Sequence, residues 1–150
     1  MGLCCGDMVI KTKAIFQPIE SSDGYRVLIT RYYPRGVSRD NFDEWVSVLS
    51  PSPELLSEYK ERHIDWDAFM SLFLKELRCN VGSQEALRIL NELSKKHDVT
   101  LLCYEKSGTP CHRHLVRELV ENPQSLDTTF EPKYTYDHER TTVQSHITDQ

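Results

Sequence analysis

The chain has 150 residues, 39% of them apolar and 27% charged, and a formal net charge of −5. That length suits one domain with a sizeable hydrophobic core. The net negative charge excludes a global attraction to nucleic acid or to an anionic membrane, so any anion site has to be a local cluster.

In chain order, "MGLCCG" comes first. Double acylation would want Ser or Thr where Gly6 stands, so a frayed start with two incidental thiols, Cys4 and Cys5, is expected. Five cysteines without disulfide-framework spacing point to a reducing cytoplasm. The sequence has no charged-then-apolar leader and no membrane-length apolar run, so a cytoplasmic protein is expected. Met8–Phe16 is β-rich, Gln17–Gly24 is a turn-rich connector, and Tyr25–Thr30 is the apolar run of a buried strand.

Four helical segments are expected next. Asp40 caps the first, with Phe42, Trp45, Val46 and Leu49 at helical spacing. Ser52-Pro53 starts the second, a capping hydroxyl followed by proline. Asp65 caps the third, whose Trp66, Phe69, Met70, Phe73, Leu74 and Leu77 share one face. Ser83 opens the fourth, and "VTLLC" (Val99–Cys103) is a second buried strand. A last helix begins at Thr109-Pro110 and buries Leu115, Val116, Leu119 and Val120. Strand, helices, strand, helix is the grammar of an α/β fold: a small Rossmann-like domain over residues 1–121, with a mostly parallel sheet flanked by helices and covered on both faces. Residues 122–150 are polar and aperiodic and read as a tail that adds little to the core.

The block "RYYPRGV" (Arg31–Val37), the acidic-Trp segment after it, "SPSPELL" (Ser50–Leu56), "WDAFMSLFLKEL" and "VTLLCYEKSGTPCHRHLV" together resemble the YeaO-like family, domain of unknown function 488. The resemblance runs roughly from Met8 to Val120. It implies a small cytoplasmic α/β protein and carries no established reaction.

In parallel sheets, ligands bind beyond the carboxyl ends of the strands. There the sequence gathers Arg31, Tyr32, Tyr33 and Arg35 after one strand, and Cys103, Glu105, Cys111 and Arg113 around the loop after the other. A pocket for a phosphate-bearing small molecule or nucleotide is expected, with the arginines on the charge and the tyrosines flanking a ring. Cys111, in the first turn of the last helix beside Arg113, is the candidate nucleophile, and His112 its proton carrier. His112 falls on the buried side of that helix, whereas His114 should pair with Glu118 in solvent. A metal alternative draws on Cys103, Cys111 and His114, with Cys79 or water completing the set. His112 and His114, about 200° apart on a helix, cannot share one ion. Two further alternatives are a non-catalytic nucleotide- or nucleic-acid-binding module and an interaction protein whose helices expose Trp45, Trp66, Phe69 and Phe73.

Overall fold

In the computed structural model, which describes residues 10–104 and 111–127, the strands are β1 (Ile10–Ala14), β2 (Tyr25–Leu28), β3 (Glu44–Trp45) and β4 (Val99–Cys103). They form one sheet in the order β1-β4-β2-β3, and every pairing is parallel. The helices are α1 (Pro53–Lys60), α2 (Trp66–Arg78), α3 (Val81–Ser94) and α4 (Arg113–Glu121). This is the expected α/β architecture. Among the described residues, no helix is long and apolar enough to cross a membrane.

Burial follows strand position. The central strand β4 is buried at all five residues, as its unbroken apolar run requires. The edge strand β1 alternates Lys11 and Lys13 with Ile10, Thr12 and Ala14, and charge on an edge discourages pairing with another chain. Val27, Ile29, Val99 and Leu101 point to one face and join the apolar stripes of all four helices in the main core. On the other face Leu28 and Leu102 are covered by Val37, Phe42 and Trp45. The sheet thus carries helices on one face and a loop layer on the second.

That second face explains the main local departure. The helix expected from Asp40 does not form. Arg39–Asn41 makes a single 3-10 turn, Glu44–Trp45 is strand, and Ser47–Leu49 is a second 3-10 turn. β2 would otherwise present an open hydrogen-bonding edge. Asp43 N–H donates to the Arg26 carbonyl and Val46 N–H to the Leu28 carbonyl, each at 2.8 Å, and the Trp45 indole donates to the Thr30 carbonyl at 2.8 Å. Those backbone groups require partners, and they override the helical spacing of the segment.

The caps at Ser52 and Asp65 are as expected: each side chain accepts an amide three residues on, at 3.1 and 2.9 Å. α3 starts earlier than Ser83 because Asn80 Oδ1 accepts the Ser83 amide at 3.1 Å. α4 starts later than expected, at Arg113 after His112; Thr109 and Pro110 lie outside the described residues. The described chain also runs past residue 121. Pro123–Asp127 turns back onto the fold, Leu126 enters the main core, and its carbonyl accepts Arg78 Nε at 2.9 Å.

At the amino end of the second face, Asp23 is buried, accepting from Lys13 Nζ at 2.9 Å and from Arg26 Nη1 at 2.5 Å. Burial alone would raise its carboxyl. The Glu20 amide, Lys13 and Arg26 outweigh that and hold it below its ordinary value.

Candidate functional site

Chain direction selects one edge. From β2 the chain turns towards β3, whereas from β4 it leads to α4, which lies against β1. Adjacent parallel strands whose connections diverge leave a crevice beyond their carboxyl ends. The "RYYPRG" loop leaves β2 there, and Cys103 and Tyr104 end β4 there.

The loop is tied down at three side chains. Arg31 donates from Nε to the Pro51 carbonyl at 3.0 Å and from Nη2 to the Ser50 carbonyl at 2.9 Å. The Tyr33 hydroxyl donates to the Val37 carbonyl at 2.6 Å, and its ring meets Phe42 and Trp45 edge-on. Tyr104 Oη accepts the Arg35 amide at 2.8 Å, joining residues 69 apart in sequence. Gly36 turns the chain at φ +79°, a left-handed angle that costs glycine little. Tyr32 remains 62% exposed, and the Arg35 side chain is also exposed. Phe16, just past β1, is 60% exposed and lies 5.6 Å, centroid to centroid, from Tyr104.

Behind this rim the crevice is filled by Cys103, Cys111 and His112, all buried. His112 Nε2 lies 2.7 Å from the Ile29 carbonyl, the chain leaving β2. A carbonyl only accepts, so Nε2 carries the proton and Nδ1 keeps its lone pair. Cys103 and Cys111 Sγ lie 3.7 and 3.8 Å from Nδ1. Burial pushes the Cys111 thiol well above its ordinary value, and its hydrogen bond with Cys103 adds to the push.

A family profile described as "Active DUF488-N3 subclade" matches residues 10–124. The chain belongs to the YeaO-like DUF488 family. It is 36% identical over 107 residues to the uncharacterised protein YeaO of Escherichia coli K12, covering 70% of this chain and 90% of YeaO. An uncharacterised protein of Mycobacterium tuberculosis H37Rv is 26% identical over 113 residues, covering 74% of this chain and 92% of that protein. No solved structure gives a significant match.

In this DUF488 chain the expected site residues divide into two groups. Tyr32, Arg35, Cys103, Cys111 and His112 do gather at one edge, and Glu105 lies outside the described residues. Arg31 and Tyr33 are structural ties, with their polar groups turned to backbone carbonyls. Arg113 is 1% exposed and belongs to the interior, not to a ligand surface. Cys111 lies before the helix cap and not in the first turn, so the expected support for a thiolate from the helix start is not realised. The thiol-rich group takes His112 as its third member, not His114. His114 is half-buried beside a buried Glu118, which replaces the expected solvent pair. Burial, then Arg113, Arg117 and His112, pushes His114 down to about 4. Cys79 is exposed at the end of α2, outside that group.

Two rim residues, Tyr104 and Phe16, were not among the expected site residues, although they lie one and two residues past a strand end. The aromatic residues of the interaction alternative are mostly core: Trp66, Phe69 and Phe73 are buried. A cavity of about 590 Å³ lies elsewhere, between α3 and Pro123–Leu126, with Arg88, Asn91 and Leu126 on its wall. It shares no residue with the rim.

Burial sets an order of thiol reactivity. In chelator-treated native protein Cys79 should alkylate at a free-thiol rate, whereas Cys103 and Cys111 should stay unmodified until the chain unfolds. Residue-resolved mass spectrometry checks this. Rapid native labelling of Cys111 would contradict the burial described above.

Proposed function

We propose that the carboxyl edge binds a small phosphate-bearing aromatic molecule of the nucleotide class, held by Arg35 and the rings of Tyr32, Tyr104 and Phe16. The observation that carries this reading is the bond from the Arg35 amide to Tyr104 Oη, 2.8 Å long. It couples the arginine loop to the end of β4 and so brings a cation and exposed rings to the edge where parallel sheets take ligands. A guanidinium suits phosphate, and rings that are already exposed suit a base. Arg39, over the Tyr33 ring at 5.1 Å, adds a second cation to the same loop.

Binding is favoured over thiol chemistry because a nucleophilic cysteine must be a thiolate, and burial keeps Cys111 protonated. A cytoplasmic location belongs to the same proposal, since among the described residues Cys79, Cys103 and Cys111 form no disulfide. The net charge of −5 weighs against nucleic acid as the natural ligand.

Calorimetric titration with ADP and with inorganic phosphate tests the reading. Arg35→Gln should weaken both by about tenfold, the loss of one charge-assisted contact. Tyr32→Ala should weaken ADP by about fivefold or more while sparing phosphate, because stacking serves only the base. An ADP affinity indifferent to both changes would end the proposal.

A further inference from the structure

We infer that Cys103, Cys111 and His112 form a binding site for a thiophilic divalent cation, zinc first among them, with the Ile29 carbonyl holding the imidazole in the ligating tautomer. The inference goes beyond the ligand rim and does not depend on it.

The ligand atoms of these three residues lie within 4.8 Å of one another. Tetrahedral zinc, with bonds of about 2.3 Å to sulfur and 2.0–2.1 Å to nitrogen, places a sulfur and a nitrogen about 3.6 Å apart. The Nδ1 distances of 3.7 and 3.8 Å are close to that value. Thiols merely hydrogen-bonded to an imidazole would show similar spacing, so distance alone does not decide. The second observation is the Ile29 carbonyl, 2.7 Å from Nε2. A ligating histidine characteristically gives its other N–H to a backbone carbonyl, which fixes the tautomer and aims the lone pair. Here that lone pair is on Nδ1, which lies 3.7 and 3.8 Å from the two sulfurs. Cys103 Sγ also lies 3.8 Å from Nε2, beside the ring, so binding requires a turn about the Cys103 Cα–Cβ bond.

Charge and burial agree. The three residues are 2%, 3% and 7% exposed. Net charge is costly in such an interior. Two thiolates neutralise a divalent ion, and the imidazole stays neutral; the two thiol protons leave as the ion enters. Three protein ligands leave the fourth position for water or a small molecule, as in zinc sites that keep an open place. The ion would also join the end of β4 to the start of α4, next to the chain leaving β2.

The test uses the full chain, reduced and stripped with chelator, titrated with cobalt(II) and then zinc. One cobalt per chain is expected, with thiolate-to-cobalt charge-transfer absorption that one equivalent of zinc removes. Cys103→Ser and Cys111→Ser should each weaken the band and lower affinity more than about tenfold, while Cys79→Ser leaves both unchanged. If the serine variants fail to fold, the unmodified chain decides. It should show the band, and its melting temperature should rise with zinc and not with magnesium. No stoichiometric binding, binding without the thiolate band, or binding that Cys79→Ser abolishes would each overturn the inference. None of these readouts involves ADP, so failure here and failure at the rim remain distinguishable.

Discussion

Asp23→Ala should cost about 3–5 kcal/mol of folding stability, because it leaves two cations without their shared carboxylate. The Lys13 and Arg26 side chains are only 13% and 5% exposed, so water replaces the lost partner poorly, and the carboxylate that Lys13 keeps, Glu20 at 3.5 Å, is exposed. Domains are typically stable by about 5–15 kcal/mol, so one substitution removes a large share. The pH dependence has a definite sign. The folded carboxyl titrates below the ordinary value of 3.8. The stabilisation is therefore present above that pH and is lost as pH falls through the lowered folded value. Urea unfolding at pH 7 and near pH 3 checks both parts. The unmodified chain should lose stability on acidification, and Asp23→Ala should lack that part of the loss. An alanine variant within about 0.5 kcal/mol of the parent at pH 7, the range of an ordinary surface substitution, would show that the network carries no weight.

Much of this fold was legible in the sequence because its signals are local. Ser52-Pro53 and Asp65 fix helix starts through their own side chains, and Val99–Cys103 is apolar throughout because it lies between two strands. The segment after Asp40 was not legible. Its helical spacing is real, but its conformation is set by the open edge of β2, an element more than ten residues away that the segment cannot encode. The site divides in the same way. Chain order alone brought Arg35 and Cys103 to one edge. Whether an arginine points to solvent or to a carbonyl depends on which backbone groups lie nearby, and Arg31 found Ser50 and Pro51. The choice between His112 and His114 turned on where α4 begins, and that boundary is not written in the residues around Pro110.

Phe73→Ala should have an effect of similar size, about 3–5 kcal/mol, from lost burial together with the cavity left behind. The ring is 0% exposed, with its centroid 6.3 Å from that of Phe69. It also meets the His112 ring edge to face at 5.5 Å and 86°. Truncation therefore loosens the imidazole as well as the core. Phe73→Leu, which keeps most of the volume, should cost under about 1.5 kcal/mol. Urea unfolding gives the stabilities, and hydrogen exchange at the His112 amide reads the local effect. An alanine variant that unfolds like the leucine variant would mean that the surrounding side chains collapse into the space, and that His112 does not rely on this ring.

Ligand binding at the carboxyl edge, as proposed, is open to direct measurement. The most direct measurement is a titration of the isotope-labelled chain with ADP, followed amide by amide by NMR. Saturable shifts are expected at Tyr32, Arg35 and Tyr104, reduced in Arg35→Gln, with the α3 cavity around Arg88 and Asn91 unmoved. Shifts confined to that cavity, or none at the edge at millimolar ADP, would contradict the proposal.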